Sequence, residues 1–153
     1  MSGGLDWFET TIRAASGTLS VAETGPTVTL PGHHNQHTFI LRVTTVTTPD
    51  GDDEVRFWLQ TTYDNGTTWR DVANVLLTTA HNGVAQTRHI EINPAASATN
   101  IDTSDAGTGG SALADNAVHA NLPIADRVRV KTTTAGATLP SYAYTCLMLS
   151  RSV

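Results

Sequence analysis

The sequence alternates between apolar and polar residues in several separate runs, and a period of two is the pattern of a β-strand with two different faces. In the segment 54–63, Val55, Phe57 and Leu59 occupy alternate positions, and mainly polar residues lie between them. Trp58 lies on this second side. Three alternatives remain: Trp58 is exposed, or it packs in the sandwich with the Phe57 side outward, or both sides are covered in an oligomer. The predicted strands are 7–15 (a short helix is the alternative), 18–21, 27–30, 36–48, 54–63, 68–77, 84–93, 124–134 and 142–150.

Turn-forming residues separate these runs. The segment 49–53 is a turn by its composition, 64–67 closes a hairpin, and 81–83 contains Asn-Gly, a strong hairpin signal. The run 142–150 is apolar on both faces, which places it at a sheet centre or beneath a neighbouring subunit. Short strands at this spacing predict a single all-β domain over residues 1–153, an antiparallel β-sandwich or jelly-roll-like fold.

One long segment, 94–123, interrupts the strands. It is rich in Ala, Ser, Thr, Gly, Asp and Asn, and so long a stretch without a period is unusual inside a compact domain. Two alternatives remain, a mobile surface loop and an arm that orders against a neighbouring subunit, and part of it, 111–120, is compatible with a short helix. The predicted interface residues lie here and near the N-terminus: Trp7, Asp102, Asp105, Leu113 and Leu122.

Charge and cysteine content exclude several functions. The formal net charge is −5 at pH 7, which argues against nucleic-acid binding and against binding to anionic membranes. No apolar stretch approaches the roughly 18 residues of a membrane span, and residues 1–7 lack the pattern of a signal peptide, so we expect folding in a cytoplasm. Cys146 is the single cysteine and lies in an apolar run, which predicts a buried side chain.

Side chains capable of chemistry are present but form no recognisable catalytic motif. His33, His34 and His37 follow a Pro-Gly turn, and we expect exposed side chains, with a zinc site as the alternative. The acidic run 50–54 lacks the ligand spacing of a calcium loop, which favours a solvated hairpin loop. No nucleophile elbow or phosphate-binding loop occurs. We therefore predict no enzymatic activity, no cofactor and no metal.

The most specific motif is Thr62-x-Asp64-x-Gly66-x-Thr68-Trp69. It is similar to the Asp-box of sialidase-like proteins, with Thr62 in the position of serine. The resemblance implies a hairpin clamp, in which the hydroxyl and the carboxylate accept backbone N–H groups, Gly66 adopts a positive φ and Trp69 is a core-facing anchor. The motif occurs once and the chain is too short for a sialidase propeller, so no enzymatic activity is carried over.

A wider resemblance rests on the segments 39–44, 55–73 and 127–130, which are spread over more than half of the chain. They resemble small β-sandwich structural proteins of tailed bacteriophages, in which a Ser/Thr-x-Asp-x-Gly-x-x-Trp turn is followed by Asp-Val-Ala, as in residues 62–73. The resemblance implies a virion protein, with a capsid decoration (cement) protein favoured.

Such a protein is made in the host cytoplasm and located in the virion. Its implied partners are the major capsid protein, other virion proteins and copies of itself, with a trimer favoured among closed homo-oligomers. Two alternatives remain. One is an accessory protein of the neck or tail, and the other is a carbohydrate-binding module with an exposed aromatic platform.

Overall fold

A computed structural model describes residues 7–30, 34–93, 105–106 and 113–152, and these form two four-stranded antiparallel sheets packed as a sandwich. The predicted all-β class is therefore confirmed, and the described residues contain no α-helix. The strands are β1 (Phe8–Arg13), β2 (Val28–Thr29), β3 (Gln36–Thr47), β4 (Glu54–Thr62), β5 (Arg70–Thr78), β6 (Gln86–Ile92), β7 (Arg127–Ala135) and β8 (Ser141–Arg151).

The strand order is β1-β8-β3-β6 in the first sheet and β2-β7-β4-β5 in the second. Each strand pairs with the strand that has the same position counted from the other end of the chain, and we call this mirror pairing: first with eighth, second with seventh, third with sixth and fourth with fifth. We call the end of the sandwich that carries the turn 63–69 the turn end, and the opposite end the loop end. β1 and β3 begin at the turn end, where β6 and β8 finish.

The hairpin predicted at 81–83 is wrong, because β5 and β6 lie in different sheets. A short 3-10 turn, Thr79–His81, ends β5 and redirects the chain. Gly83 has a φ of 73° and donates its N–H to Val46 O of the first sheet at 2.8 Å. Asn-Gly thus makes a tight turn here, but the turn carries the chain across the sandwich.

The core lies between the two sheets and is built from alternate residues. Phe57 of β4 meets Tyr142 and Tyr144 of β8 edge-on, with ring centroids 5.6 and 5.1 Å apart. Cys146 is buried as predicted, and burial raises the pKa of its thiol to about 12. β8 lies at a sheet centre, between β1 and β3. The side chains of β3 predicted to share a face are all buried, namely Phe39, Leu41 and Val43.

One open side of the sandwich is closed by residues 19–25. Leu19 exchanges two backbone hydrogen bonds with Tyr142 of β8, at 2.7 and 2.9 Å, and Gly25 donates its N–H to Val130 O of β7 at 2.9 Å. A Cβ on Gly25 would lie 2.7 Å from that same oxygen, so this approach needs glycine. The strand predicted at 18–21 is reduced to the bridge at Leu19.

The other open side is closed by residues 113–122, which we call the strap. The backbone N–H of Asn74 donates to Ala117 O at 3.0 Å, and His119 N–H donates to Val72 O at 2.8 Å, so the strap lies along the edge of β5. The short helix expected at 111–120 is absent over the described residues 113–120. This part of the long segment orders against its own sheets.

The acidic run 50–54 does not form the solvated hairpin loop that we expected. It joins β3 to β4, which lie in different sheets. Asp53 is only 1% exposed, and its carboxylate accepts the backbone N–H groups of Asp50 at 3.1 Å and Thr138 at 3.2 Å. This carboxylate therefore ties together two connections between the sheets.

Gly136 opens the second of these connections, with a φ of +120°. A Cβ at Gly136 would lie 2.6 Å from Asp53 Cα and closer still to the Asp53 carboxylate. Because of this clash and the left-handed backbone, Gly136→Ala should lower the free energy of unfolding by roughly 2–4 kcal/mol in urea denaturation. Gly51→Ala is the control, since a Cβ there meets no atom within 4 Å. Equal stability of the two variants would contradict this account.

Candidate assembly site at the turn end

The turn between β4 and β5 is held by side chains that bind its own backbone. Thr62 donates its hydroxyl to Asp64 Oδ1 at 2.9 Å and accepts the N–H of Gly66 at 3.0 Å. Asp64 Oδ1 also accepts the N–H of Thr68 at 2.7 Å, and the other carboxylate oxygen accepts the Thr68 hydroxyl. Asn65 and Gly66 adopt φ values of 62° and 94°, so the tight turn needs residues that tolerate the left-handed region.

The hydrogen bonds to Asp64 stabilise its charged form. The Thr68 hydroxyl and the Thr68 backbone N–H lower the pKa of this exposed carboxyl to about 2. The pKa of an aspartate in an unfolded chain is near 3.9. The hydrogen bonds to Asp64 therefore contribute their full stabilisation only at pH values where Asp64 is ionised in both the folded and the unfolded chain.

Both tryptophans beside the turn are buried on the outer side of the second sheet. Trp69 is 5% exposed and packs under the guanidinium of Arg129, whose Cζ lies 4.0 Å from the ring centroid. It is not part of the central apolar cluster, so the prediction that it faces the core is wrong. Trp58 is 4% exposed and donates its indole N–H to Thr133 Oγ1 at 2.9 Å. Trp58 is thus buried on the outer side of its sheet while Phe57 lies in the central core, an arrangement that differs from those expected from the sequence.

A polar network covers the same outer side of the second sheet. The amide of Gln60 donates to Asp71 Oδ1 at 2.7 Å and to Asp105 Oδ1 at 2.8 Å. Gln60 Oε1 accepts from Arg129 Nε at 2.7 Å, and Lys131 Nζ lies 3.3 Å from Asp105 Oδ1. Gln60 and Asp71 are buried, at 1% and 0% exposure. The network anchors Asp105 of the long segment to three strands.

Charge fixes the protonation of this network. Burial acts to raise the pKa of Asp105, but the Gln60 hydrogen bond and the charges of Lys131 and Arg129 outweigh it and lower that pKa. Burial lowers the pKa of Arg129, and nearby carboxylates oppose that shift. The pair of Asp105 with the two cations, at 3.6 Å from Arg129 and 3.3 Å from Lys131, is therefore ionic.

The structure places the predicted interface residues in different environments. Leu122 is 8% exposed and joins the central core, Leu113 accepts the Asn74 side-chain amide at 3.2 Å, and Asp105 belongs to the polar network. Asp102 lies outside the described residues. Trp7 is the one described member that is exposed, at 44%.

Trp7 belongs to an exposed aromatic patch at the turn end. The Arg151 guanidinium lies 4.5 Å from the Trp7 ring centroid, and Phe8, which is 49% exposed, stacks on His34 with centroids 4.8 Å apart. Exposed apolar groups that lie together often mark contact surfaces.

The histidines predicted to be exposed do not behave alike. His37 occupies an inward position of β3 and is 3% exposed, so its predicted exposure is wrong. Its Nδ1 lies 3.0 Å from Ser150 Oγ, and burial lowers its pKa. His34 lies near Ser152, and His33 lies outside the described residues. Within the described ranges, no three histidine, cysteine or acidic side chains group as metal ligands.

No protein-family model matches the chain, and no curated protein is detectably similar to it. In the part of the chain that the structure describes, no helix is long and apolar enough to cross a membrane. The geometry of the described residues therefore carries the functional argument.

The sequence reading missed the network of Gln60, Asp71 and Arg129. A signal was present, because polar residues at alternate positions of β4, β5 and β7 interrupt otherwise apolar runs. Polar side chains that share one face of neighbouring strands can only be buried together when another segment covers them. The nearby long segment, with its own Asp105, was available for that purpose.

The Asp64 clamp predicts a specific acid dependence. The folded pKa of about 2 lies below the unfolded value, so the stabilisation is complete above about pH 4 and disappears as the pH falls towards 2. Thermal melts of wild type and Asp64→Asn should therefore differ most above pH 4 and converge towards pH 2. Asp52→Asn, which removes an exposed carboxylate at the loop end, is the control. A difference in melting temperature that stays constant with pH would contradict the stabilising role of the ionised Asp64.

Because Leu122 of the strap packs in the central core, we predict that it stabilises the fold of a single chain. Leu122→Ala should lower the free energy of unfolding by about 2–3 kcal/mol because it leaves a cavity in the core. Leu139→Ala, at a position 51% exposed, should change it by less than about 0.5 kcal/mol. Urea denaturation at about 1 and about 100 µM protein should give the same loss of unfolding free energy for Leu122→Ala. An effect that grows with concentration would instead place Leu122 in an interface.

Proposed function

We propose that this chain is a virion structural protein, with a capsid decoration protein of a phage head as the favoured role. The observation that carries the proposal is the mirror pairing of strands, β1 with β8, β2 with β7, β3 with β6 and β4 with β5. Such pairing is what results when one long antiparallel ribbon is rolled up, and we infer that the sandwich is a jelly roll. Jelly rolls recur in viral capsid proteins.

The proposed action is mechanical. Residues 19–25 and the strap cross the two open sides of the sandwich and are held there by backbone hydrogen bonds. The domain would contact the major capsid protein and sister copies, as a trimer, and reinforce the shell by burying apolar surface. The exposed side chains of Trp7 and Phe8, which contact Arg151 and His34, supply apolar surface of the required kind.

The alternatives make different demands on the same structure. A neck or tail accessory protein would use the same domain at another position in the particle. A carbohydrate-binding module needs an exposed aromatic platform. Trp58, Tyr142 and Tyr144 are buried, which leaves Trp7, Phe8 and Tyr63 as the exposed aromatics among the described residues that could stack on a sugar. This favours a role in protein–protein contact.

Purified particles test the proposal. Phage particles from cells that express the chain should contain it in a fixed ratio to the major capsid protein, measured by quantitative mass spectrometry of separated heads and tails. Heads that lack the chain should rupture at a lower temperature than complete heads. Presence in the tail fraction alone would favour the accessory role, and absence from all particles would reject a virion function. A glycan array, with Trp7→Ala as control, tests the carbohydrate alternative.

A further inference from the structure

The first sheet has two strand edges that no backbone of the described residues pairs along. In the second sheet, the strap lies along β5, and β2 at the opposite edge has only two residues. In the first sheet, β1 has six residues and β6 has seven. A free edge presents N–H and C=O groups to which another strand can pair. Among the described residues, the first sheet therefore offers the edges that are long enough for pairing with another chain.

The pairing of β8 shows which backbone groups of β1 point outward. Tyr142 exchanges two backbone hydrogen bonds with Leu19, so the even-numbered residues of β8 face the β1 side. Their register partners in β1 are its even-numbered residues at the start of the strand. Glu9 and Thr11 consequently direct their N–H and C=O groups away from the sheet.

The same alternation continues across the sheet to β6. The odd-numbered residues of β8 face β3, and the even-numbered residues of β3 are their partners, which leaves the odd-numbered residues of β3 to bond β6. Thr87, His89 and Glu91 therefore point their backbone groups outward. Asn93, the next residue in this series, donates its N–H to Ala120 O of the strap at 2.7 Å, which agrees with that direction.

We propose that β6 of one copy pairs with β1 of a second copy, so that the first sheet continues from one subunit to the next. Strand direction alternates across this sheet, so β1 of a second copy in the same orientation is antiparallel to β6. Glu9, Glu91 and the other outward residues have their side chains on one face of the sheet, as their shared register shows. Neither strand needs to change face in order to pair.

Charge selects one register for this contact. When His89 lies opposite Glu9 of the second copy, the imidazole can donate to the carboxylate, and Thr87 lies opposite Thr11. A hydrogen bond from the imidazole to the carboxylate and a Thr–Thr pair are both favourable across strands. A shift by two residues would instead place Glu91 opposite Glu9, and like charges directly opposite are unfavourable.

The same register covers an exposed aromatic side chain. Phe8 is 49% exposed although its register partner in β8, Ser150, is buried on the inner face. With His89 opposite Glu9, Phe8 of the second copy lies opposite Ile90, the inward residue of β6 that precedes Glu91. Aromatic side chains pair well with β-branched ones across strands. Phe8 would then lose solvent contact on assembly.

This contact joins two different surfaces, so it repeats head to tail and closes as a ring where the rotation permits. It rests on the self-association in the proposed function and is independent of the position in the particle. A ring of three copies would give the proposed trimer.

His89→Pro tests the pairing directly. Proline removes the outward N–H of His89 and leaves the hydrogen bonds between β6 and β3 intact, which an edge strand tolerates. Light scattering after size exclusion should give about three times the 16.2 kDa chain mass for wild type and a single chain mass for His89→Pro. His89→Ala, which keeps the N–H, should remain oligomeric. Circular dichroism must show the same fold and a similar melting temperature for all three.

Charge exchange provides a second test that does not depend on proline. Glu9→Lys and His89→Glu should each weaken self-association by about ten-fold, since each removes the favourable pair or creates a repulsive one. The double variant should restore it towards the wild-type value, because Lys and Glu then lie opposite each other. If the single variants associate more weakly and the double variant does not recover, the proposed register is wrong.

The results separate this inference from the virion role. A wild-type chain that is monomeric at high concentration, or a His89→Pro variant that stays oligomeric with its fold intact, would reject the β6–β1 contact. Presence of the chain in particles is measured independently. A particle protein with an unaffected oligomer would refute the contact and leave the proposed function standing.

Discussion

The ladder between β3 and β8 is the interaction on which the other elements depend. It is the longest strand pairing among the described residues and joins residues as far apart in the chain as Gln36 and Arg151, 115 positions. Both edge strands of the first sheet, β1 and β6, add to this central pair. A slip of one residue would turn the inward residues of β3 to solvent, so the buried Phe39 and Met148, which lie opposite each other, fix the register.

The second sheet depends on polar contacts that cross between elements. Arg129 stacks on Trp69 of the turn, with Cζ 4.0 Å from the ring, and donates to Gln60 at 2.7 Å. Gln60 in turn binds Asp71 and Asp105, so the turn and the long segment share one set of hydrogen bonds. Leaving such a buried group without its partner costs about 1–3 kcal/mol. The turn is therefore more than a local clamp, because its tryptophan supports the guanidinium that organises the network.

The period of two was sufficient to predict most strands and the inward side chains of β3, since a strand has only two faces. It could not show what covers the outer face, which explains why the burial of Trp58 was open and why the role of Asp71 was missed. Asn-Gly at 82–83 specifies a tight turn from local backbone preference, but whether the flanking strands pair depends on sheets built from distant residues. The fate of His37 follows from the strand register, and its proximity to a Pro-Gly turn was misleading.

The polar residues of the two sheets differ in their exposure, so the two sheets present different surfaces. On the second sheet, Gln60 hydrogen-bonds Asp71, Arg129 and Asp105, and the strap accepts the side-chain amide N–H of Asn74. On the first sheet, Glu9, His89 and Glu91 are exposed on edge strands. Charged residues on an edge discourage indiscriminate pairing, but they also select a complementary partner. The β6 edge carries a histidine and an acid, and the β1 edge carries an acid beside the exposed Phe8. Each edge is therefore better suited to one specific neighbour than to aggregation.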